Sequence, residues 1–117
     1  MCPVASTEAS QPQVHVDLTK ANTLALPGHA ALYAEITSPH QLTAFTARTA
    51  GRCFILGGGS NLVLTGDFDG LMLHMAITGR ELAAEDADAW YVRAGAGEKW
   101  NEFVEWTLAQ GWPGLEN

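Results

Sequence analysis

Three consecutive glycines, Gly57-Gly58-Gly59, follow the apolar run Cys53-Phe54-Ile55-Leu56 and precede Ser60-Asn61-Leu62. Each glycine adds conformational entropy to the unfolded chain, so keeping three in a row implies a positive φ or a close approach to the backbone. Four apolar residues without polar alternation read as a strand buried on both faces, the pattern of parallel pairing under helical cover. The loop therefore starts where a buried strand stops. Successive backbone amides in such a loop form a concavity for anions, and the Ser60 hydroxyl and Asn61 amide add neutral donors at its rim. A pyrophosphate suits that set of groups; a plain strand-to-strand turn is the competing reading.

Two common phosphate loops do not fit. A Walker A loop ends in Gly-Lys-Ser/Thr, whereas Asn61-Leu62 stands here. A dinucleotide fingerprint needs a third glycine three residues after the second, then a helix; Leu62 and an apolar, strand-like run follow instead. Any anion held here would meet backbone amides and the Ser60-Asn61 pair, with no helix dipole aimed at it.

The flanking residues place the loop in a β-α-β unit. Leu32-Tyr33-Ala34-Glu35-Ile36 reads as a strand. Ser38-Pro39-His40-Gln41 then opens a helix, with Ser38 as cap, Pro39 at the first helical position and Gln41 completing a capping box. Leu42, Phe45 and Thr49 share one face of that helix, and Gly51 stops it. Beyond the loop, Leu62–Leu64, Leu71–Met75, Glu81–Ala83 and Trp90–Ala94 are predicted strands, with Gly66-Asp67, Asp69-Gly70 and Gly79 as turns. A last helix is predicted over 98–110, with Trp100, Phe103, Val104, Thr107 and Leu108 on its apolar face and Trp106 off it. Residues 1–20 are predicted to be a mobile leader, although Val14, Val16 and Leu18 alternate as a short strand would. The fold class expected is α+β: a β-α-β first lobe over about 21–66, then the start of a mostly antiparallel second lobe over about 67–117.

Charge narrows the partners. The net charge is -7, and residues 67–117 carry ten acids against Arg80, Arg93 and Lys99. Most of the molecule would repel a polyanion, which argues against nucleic-acid or anionic-membrane partners. No basic segment followed by an apolar stretch opens the chain, and no run nears the length of a membrane span. A cytoplasmic location is expected. Cys53 is expected to be a buried, inert thiol, and Cys2 to lie in the leader; neither disulfide nor zinc spacing exists. His15, His29, His40 and His74 have no metal-ligand spacing, and His74 reads as a satisfied core residue. Glu98 reads as a carboxylate complementing a helix N-terminus.

The sequence Leu-Gly-Gly-Gly-Ser-Asn-Leu-Val-Leu at 56–64 resembles the flavin pyrophosphate loop of the p-cresol methylhydroxylase/vanillyl-alcohol oxidase superfamily. More narrowly, the chain is similar to the reductases that complete UDP-N-acetylmuramate synthesis. Asn22-Thr23-Leu24 resembles an Asn-Thr-Phe motif of that family. Ala94-Gly95-Ala96-Gly97-Glu98-Lys99-Trp100 and Gly111-Trp112-Pro113-Gly114-Leu115-Glu116-Asn117 follow in the family's order. The resemblance covers about residues 21–117. It implies a two-lobed FAD-binding domain, with Gly57, Gly58, Gly59, Ser60 and Asn61 as cofactor contacts. It also implies NADPH as reductant of the flavin and a UDP-sugar carrying an enolpyruvyl double bond as hydride acceptor. The acid and serine that manage protonation in the family, and the arginine that steadies the developing enolate, lie further along than this chain extends, so it is expected to be inactive by itself. A fragment of another FAD-linked oxidase, or a short non-catalytic module binding a nucleotide or a protein, are the alternatives.

Overall fold

The run Leu71-Met72-Leu73-His74-Met75 becomes the centre of a sheet. The computed structural model describes residues 11–48 and 51–116. Strands β1 (Gln13–Asp17), β2 (His29–Ile36), β3 (Cys53–Leu56) and β4 (Phe68–Met75) form a four-stranded sheet in the order β1-β2-β4-β3. β4 pairs in parallel with β2 on one side and β3 on the other, while β1 is antiparallel to β2. The predicted β-α-β unit is present as β2, helix α1 (Pro39–Arg48) and β3, with β4 inserted between its two strands.

Alternation along β4 divides the apolar side chains between two faces. Leu71, Leu73 and Met75 are buried, as are Ala34 and Ile36, which sit beside Leu73 and Met75 in register. Met72 points the other way and packs with Leu18, Ala30 and Leu56 in a second cluster, against which Tyr33, Leu62, Leu64 and Phe68 lie. Each fully buried Leu or Ile of this kind stabilises the fold by roughly 1.5–3 kcal/mol. α1 lies against β2 and buries Phe45. Its start is as read from sequence, with one shift. Ser38 Oγ accepts from the Gln41 amide at 3.3 Å, but Gln41 Oε1 accepts from the Thr37 amide (2.6 Å) and hydroxyl (2.9 Å) instead of the Ser38 amide. Thr49 lies outside the described residues.

Several expectations are corrected. β3 is an edge strand: Phe54 and Ile55 are 38% and 54% exposed, and Cys53 is exposed as well. An apolar run reports the strand and its parallel pairing but does not report which strand takes the central place, and here β4 does. Residues 62–64 form no strand; Leu62 and Leu64 turn inward onto the second cluster while Val63 stays exposed. The described part of the expected leader is structured, because β1 pairs with β2 and Leu18, only 2% exposed, is core. Residues 1–10, Cys2 among them, lie outside the described residues.

The chain divides between Met75 and Ala76, later than the expected boundary near 66, because β4 belongs to the first sheet. The second unit holds an antiparallel pair, β5 (Arg80–Glu85) and β6 (Trp90–Ala94), and helix α2 (Trp100–Ala109). α2 ends in a Schellman motif: the Trp112 amide donates to the Thr107 carbonyl (2.9 Å) and the Gly111 amide to Leu108 (3.0 Å), with Gly111 at φ +87°. Its packed face is rotated from the expected one. Phe103 and Thr107 are buried, and Trp106 stacks on Phe103 and meets Trp112 edge-on, while Trp100 is 57% exposed. Glu98 precedes the helix instead of opening it, and its carboxylate is engaged with the β5 side. Its carboxylate accepts from the Gly79 amide at 2.7 Å and pairs with Arg80 Nε at 2.9 Å, tying the start of β5 to the approach to α2.

The β5–β6 turn yields a pH prediction. The Asp86 carboxylate accepts from the Asp88 amide, the Tyr91 hydroxyl and the Ala89 amide, which hold it below the usual aspartate range. A folded-state value below the unfolded one contributes stability that is full above the unfolded value and is lost as pH falls through the folded one. Carboxyl-carbon NMR titration is expected to give Asp86 a midpoint below that of an aspartate in an unstructured peptide. A midpoint at or above that value would show the turn's hydrogen bonds to be absent in solution.

Candidate functional site

The loop after β3 encloses a hollow of about 220 Å³, lined by residues 54–62: Phe54, Ile55 and Leu56 from the strand, then Gly57, Gly58, Gly59, Ser60, Asn61 and Leu62. All five residues singled out from sequence are thus brought to one place. The three glycines differ in what they do there. A Cβ placed on Gly59 would lie 2.1 Å from the Ala21 carbonyl oxygen and 2.8 Å from Asn22 Cα, and Gly59 sits at φ +79°. Glycine is therefore demanded at 59 by the protein's own backbone. Gly57 and Gly58 have no positive φ, and a Cβ on either meets nothing within 4 Å. Nothing among the described residues asks for glycine at these two positions.

Main-chain donors of the loop are open. Among the described residues, the N–H groups of Gly58, Gly59, Ser60 and Asn61 donate to no backbone carbonyl. Buried main-chain donors are nearly always paired, and those at a rim are paired by water or a ligand. The hollow offers neutral donors, the kind of lining that receives an anion without a counter-charge.

The loop is held from behind by a segment whose part was not read from sequence. The Thr23 amide donates to the Gly59 carbonyl at 3.1 Å. Asn22, next to it, is 5% exposed, and its side chain is fully engaged. Nδ2 donates to the Leu18 and Leu26 carbonyls at 2.8 and 3.1 Å, and Oδ1 accepts from the Leu26 amide at 2.9 Å. The motif Asn22-Thr23-Leu24 was visible as a resemblance, but nothing in its composition tells a buried clamp from a surface turn.

Other candidates have structural roles or lie elsewhere. His74, beside Leu56 in register with β3, shares a 2.8 Å hydrogen bond with the Tyr33 hydroxyl, and Glu35 lies 3.9 Å from it. Burial, and then the charge of Glu35, raise the Tyr33 hydroxyl above its ordinary range. His15 stacks flat on His29 at 4.2 Å, and His29 approaches Asp67 at 3.6 Å. Among the described residues no three His, Cys, Asp or Glu side chains gather as metal ligands, and no helix is long and apolar enough to cross a membrane. A larger hollow of about 450 Å³ in the second unit is lined by Trp100, Asn101, Val104, Glu105, Leu115 and Glu116. Its two carboxylates make it unsuited to an anion.

The chain belongs to the family of FAD-binding domains, which matches residues 30–117. FAD is accordingly its cofactor. Over 106 residues the chain is 65% identical to the UDP-N-acetylenolpyruvoylglucosamine reductase of Dechloromonas aromatica (strain RCB), covering 91% of this chain and 31% of that protein. Proteins of the same name from Paraburkholderia phymatum and Azoarcus sp. (strain BH72) are 56% and 52% identical. They cover 82% and 86% of this chain, which spans 29% and 31% of their lengths. The chain thus spans about a third of these relatives.

Proposed function

We propose that Gly57, Gly58, Gly59, Ser60 and Asn61 hold the diphosphate of FAD, and that the chain is the leading part of the flavin domain of a UDP-N-acetylenolpyruvoylglucosamine reductase. The observation that carries this is the contrast among the three glycines. Gly59 is accounted for by Ala21 and Asn22, whereas Gly57 and Gly58 face open space. Two adjacent glycines without an internal reason fit a ligand that must come close to the main chain, and bulky diphosphate oxygens are such a ligand. The donor chemistry agrees: successive amides and two neutral side chains can be shared among the oxygens without burying a counter-ion.

Bound FAD supplies hydride-transfer chemistry. What this chain contributes is grip and orientation: loop amides at the diphosphate, and the Ser60 hydroxyl and Asn61 amide at the rim. In a polypeptide of the relatives' length, NADPH would be the hydride donor and the enolpyruvyl UDP-sugar the acceptor. The product would be UDP-N-acetylmuramate for peptidoglycan synthesis, made in the cytoplasm. These assignments rest on the relatives' names and on the ordered motifs.

The test is a paired assay of that longer polypeptide. It is expected to purify with FAD, and to oxidise NADPH only when UDP-N-acetylenolpyruvoylglucosamine is supplied. Flavin that is reduced by a hydroxy acid and ignores the UDP-sugar would transfer the chain to the oxidases of the same superfamily. A protein that takes up no FAD would remove the site assignment itself.

A further inference from the structure

The segment behind the loop has a geometry that bears on ligand affinity, given the diphosphate reading above. The Gly59 carbonyl and the Ser60 N–H belong to one planar trans peptide, so they point in opposite directions. The carbonyl is fixed toward the Thr23 amide at 3.1 Å, and Thr23 is not among the described residues that line the hollow. The Ser60 N–H is thereby directed away from Thr23. Were this peptide to rotate, it would withdraw one donor and present a carbonyl oxygen in its place, which repels an anion.

Thr23 is itself held. Asn22 bridges Leu18 and Leu26 with three hydrogen bonds, the Asn22 carbonyl accepts from the Ala25 amide at 3.0 Å, and the Leu18 amide donates to the Gly28 carbonyl at 2.8 Å. Leu18 is anchored in the core cluster with Leu56, the last residue before the loop. The support therefore runs from the core through Leu18 and Asn22 to Thr23, and from Thr23 to Gly59. The tight seat of Gly59 on Ala21 and Asn22 leaves no room for a bulkier residue to replace this contact.

We infer that Asn22 and Thr23 are positioning residues for the diphosphate: by pinning the Gly59 carbonyl they keep the Ser60 N–H oriented for an anion before any ligand arrives. Neither side chain touches the cofactor in this role. Preorganised donors bind more tightly than donors that must be ordered on binding, because the ordering cost is already met.

Thr23→Pro deletes the donor, and Asn22, at φ −134° and ψ 143°, already has the backbone conformation of a residue before proline. The experiment measures affinities of the apo protein, in a polypeptide of the relatives' length, for FAD, ADP and riboflavin. Losing a hydrogen bond that orients a donor to a charged group is expected to weaken FAD and ADP by about tenfold or more. Riboflavin, which has no diphosphate, should be unaffected, so the ratio of FAD to riboflavin affinity falls. A merely structural defect would lower all three together. An unchanged ratio in a folded Thr23→Pro protein overturns the inference.

Hydrogen exchange of the unaltered protein provides a reading that needs no variant. The Thr23 amide is expected to be protected in the apo form, and further protected by FAD but not by riboflavin. Free exchange of that amide with FAD bound overturns the inference. The diphosphate reading fails separately: Gly58→Val would then leave the FAD-to-riboflavin ratio untouched. A ratio lost with Gly58→Val but kept with Thr23→Pro sinks the positioning role alone.

Discussion

Valine at position 58 is expected to leave the protein folded and strip it of FAD. The backbone at Gly58 is outside the left-handed region and an added Cβ meets nothing within 4 Å, so an L-residue fits without strain. Removing a glycine under those conditions lowers the entropy of the unfolded chain and stabilises by about 0.4–1 kcal/mol. The apo melting temperature should therefore hold or rise. The ligand experiences the opposite effect. Gly58 lines the hollow, and a branched side chain beside the loop amides keeps diphosphate oxygens beyond hydrogen-bond reach. A rise of at least about a hundredfold in the FAD Kd is expected, equivalent to about 2.8 kcal/mol. Flavin fluorescence titration and a thermal melt of the same preparation check both halves. Unchanged FAD affinity would mean that the hollow is not where the diphosphate sits.

Why the loop could be read from sequence, while its support could not, follows from the kind of signal each leaves. Three glycines after an apolar strand are conformationally expensive, and the expense itself is informative. The capping residues Ser38, Pro39 and Gln41 likewise act on the backbone within a few residues of themselves, and α1 starts where they place it. Long-range facts leave no such local mark. That β4 slots between β2 and β3 depends on pairing partners tens of residues apart, so the apolar run at 53–56 was read as buried on both faces when it is an exposed edge. The first-unit boundary moved from 66 to 75 for the same reason.

Side-chain direction on α2 was misread differently. Five residues fit a helical stripe, but Phe103 and Thr107 lie at its packed centre, and Trp106 joins them through Trp112, which comes from beyond the helix. Asn22 was hardest of all. A buried asparagine satisfied by three hydrogen bonds has the same composition as a surface turn, and only the folded chain tells them apart.

Alanine at position 59 should behave as the mirror image of valine at 58: it attacks the fold before it affects the ligand. The Cβ would stand 2.1 Å from the Ala21 oxygen and 2.8 Å from Asn22 Cα, both main-chain atoms that no side-chain rotation can move aside. The φ of +79° adds the cost of a left-handed conformation for a residue with a Cβ, on the order of 1–2 kcal/mol. To relieve the clash, either the Gly59 peptide or the Ala21–Thr23 segment has to shift, and either movement breaks the Thr23-to-Gly59 hydrogen bond. The Leu18–Leu26 turn, which Asn22 holds closed and which seats Leu18 in the core, is then disturbed with it. A loss of about 2–4 kcal/mol in unfolding free energy is expected, the range for strain at a special backbone position combined with a broken contact. Urea unfolding of the apo protein measures this without any cofactor present. FAD affinity should fall too, but here the stability loss appears with no ligand in the cuvette, whereas for Gly58→Val it does not. An apo Gly59→Ala protein as stable as the parent would show that the loop does not rest on residues 21–23, and the support for the diphosphate site would have to be sought elsewhere in the first unit.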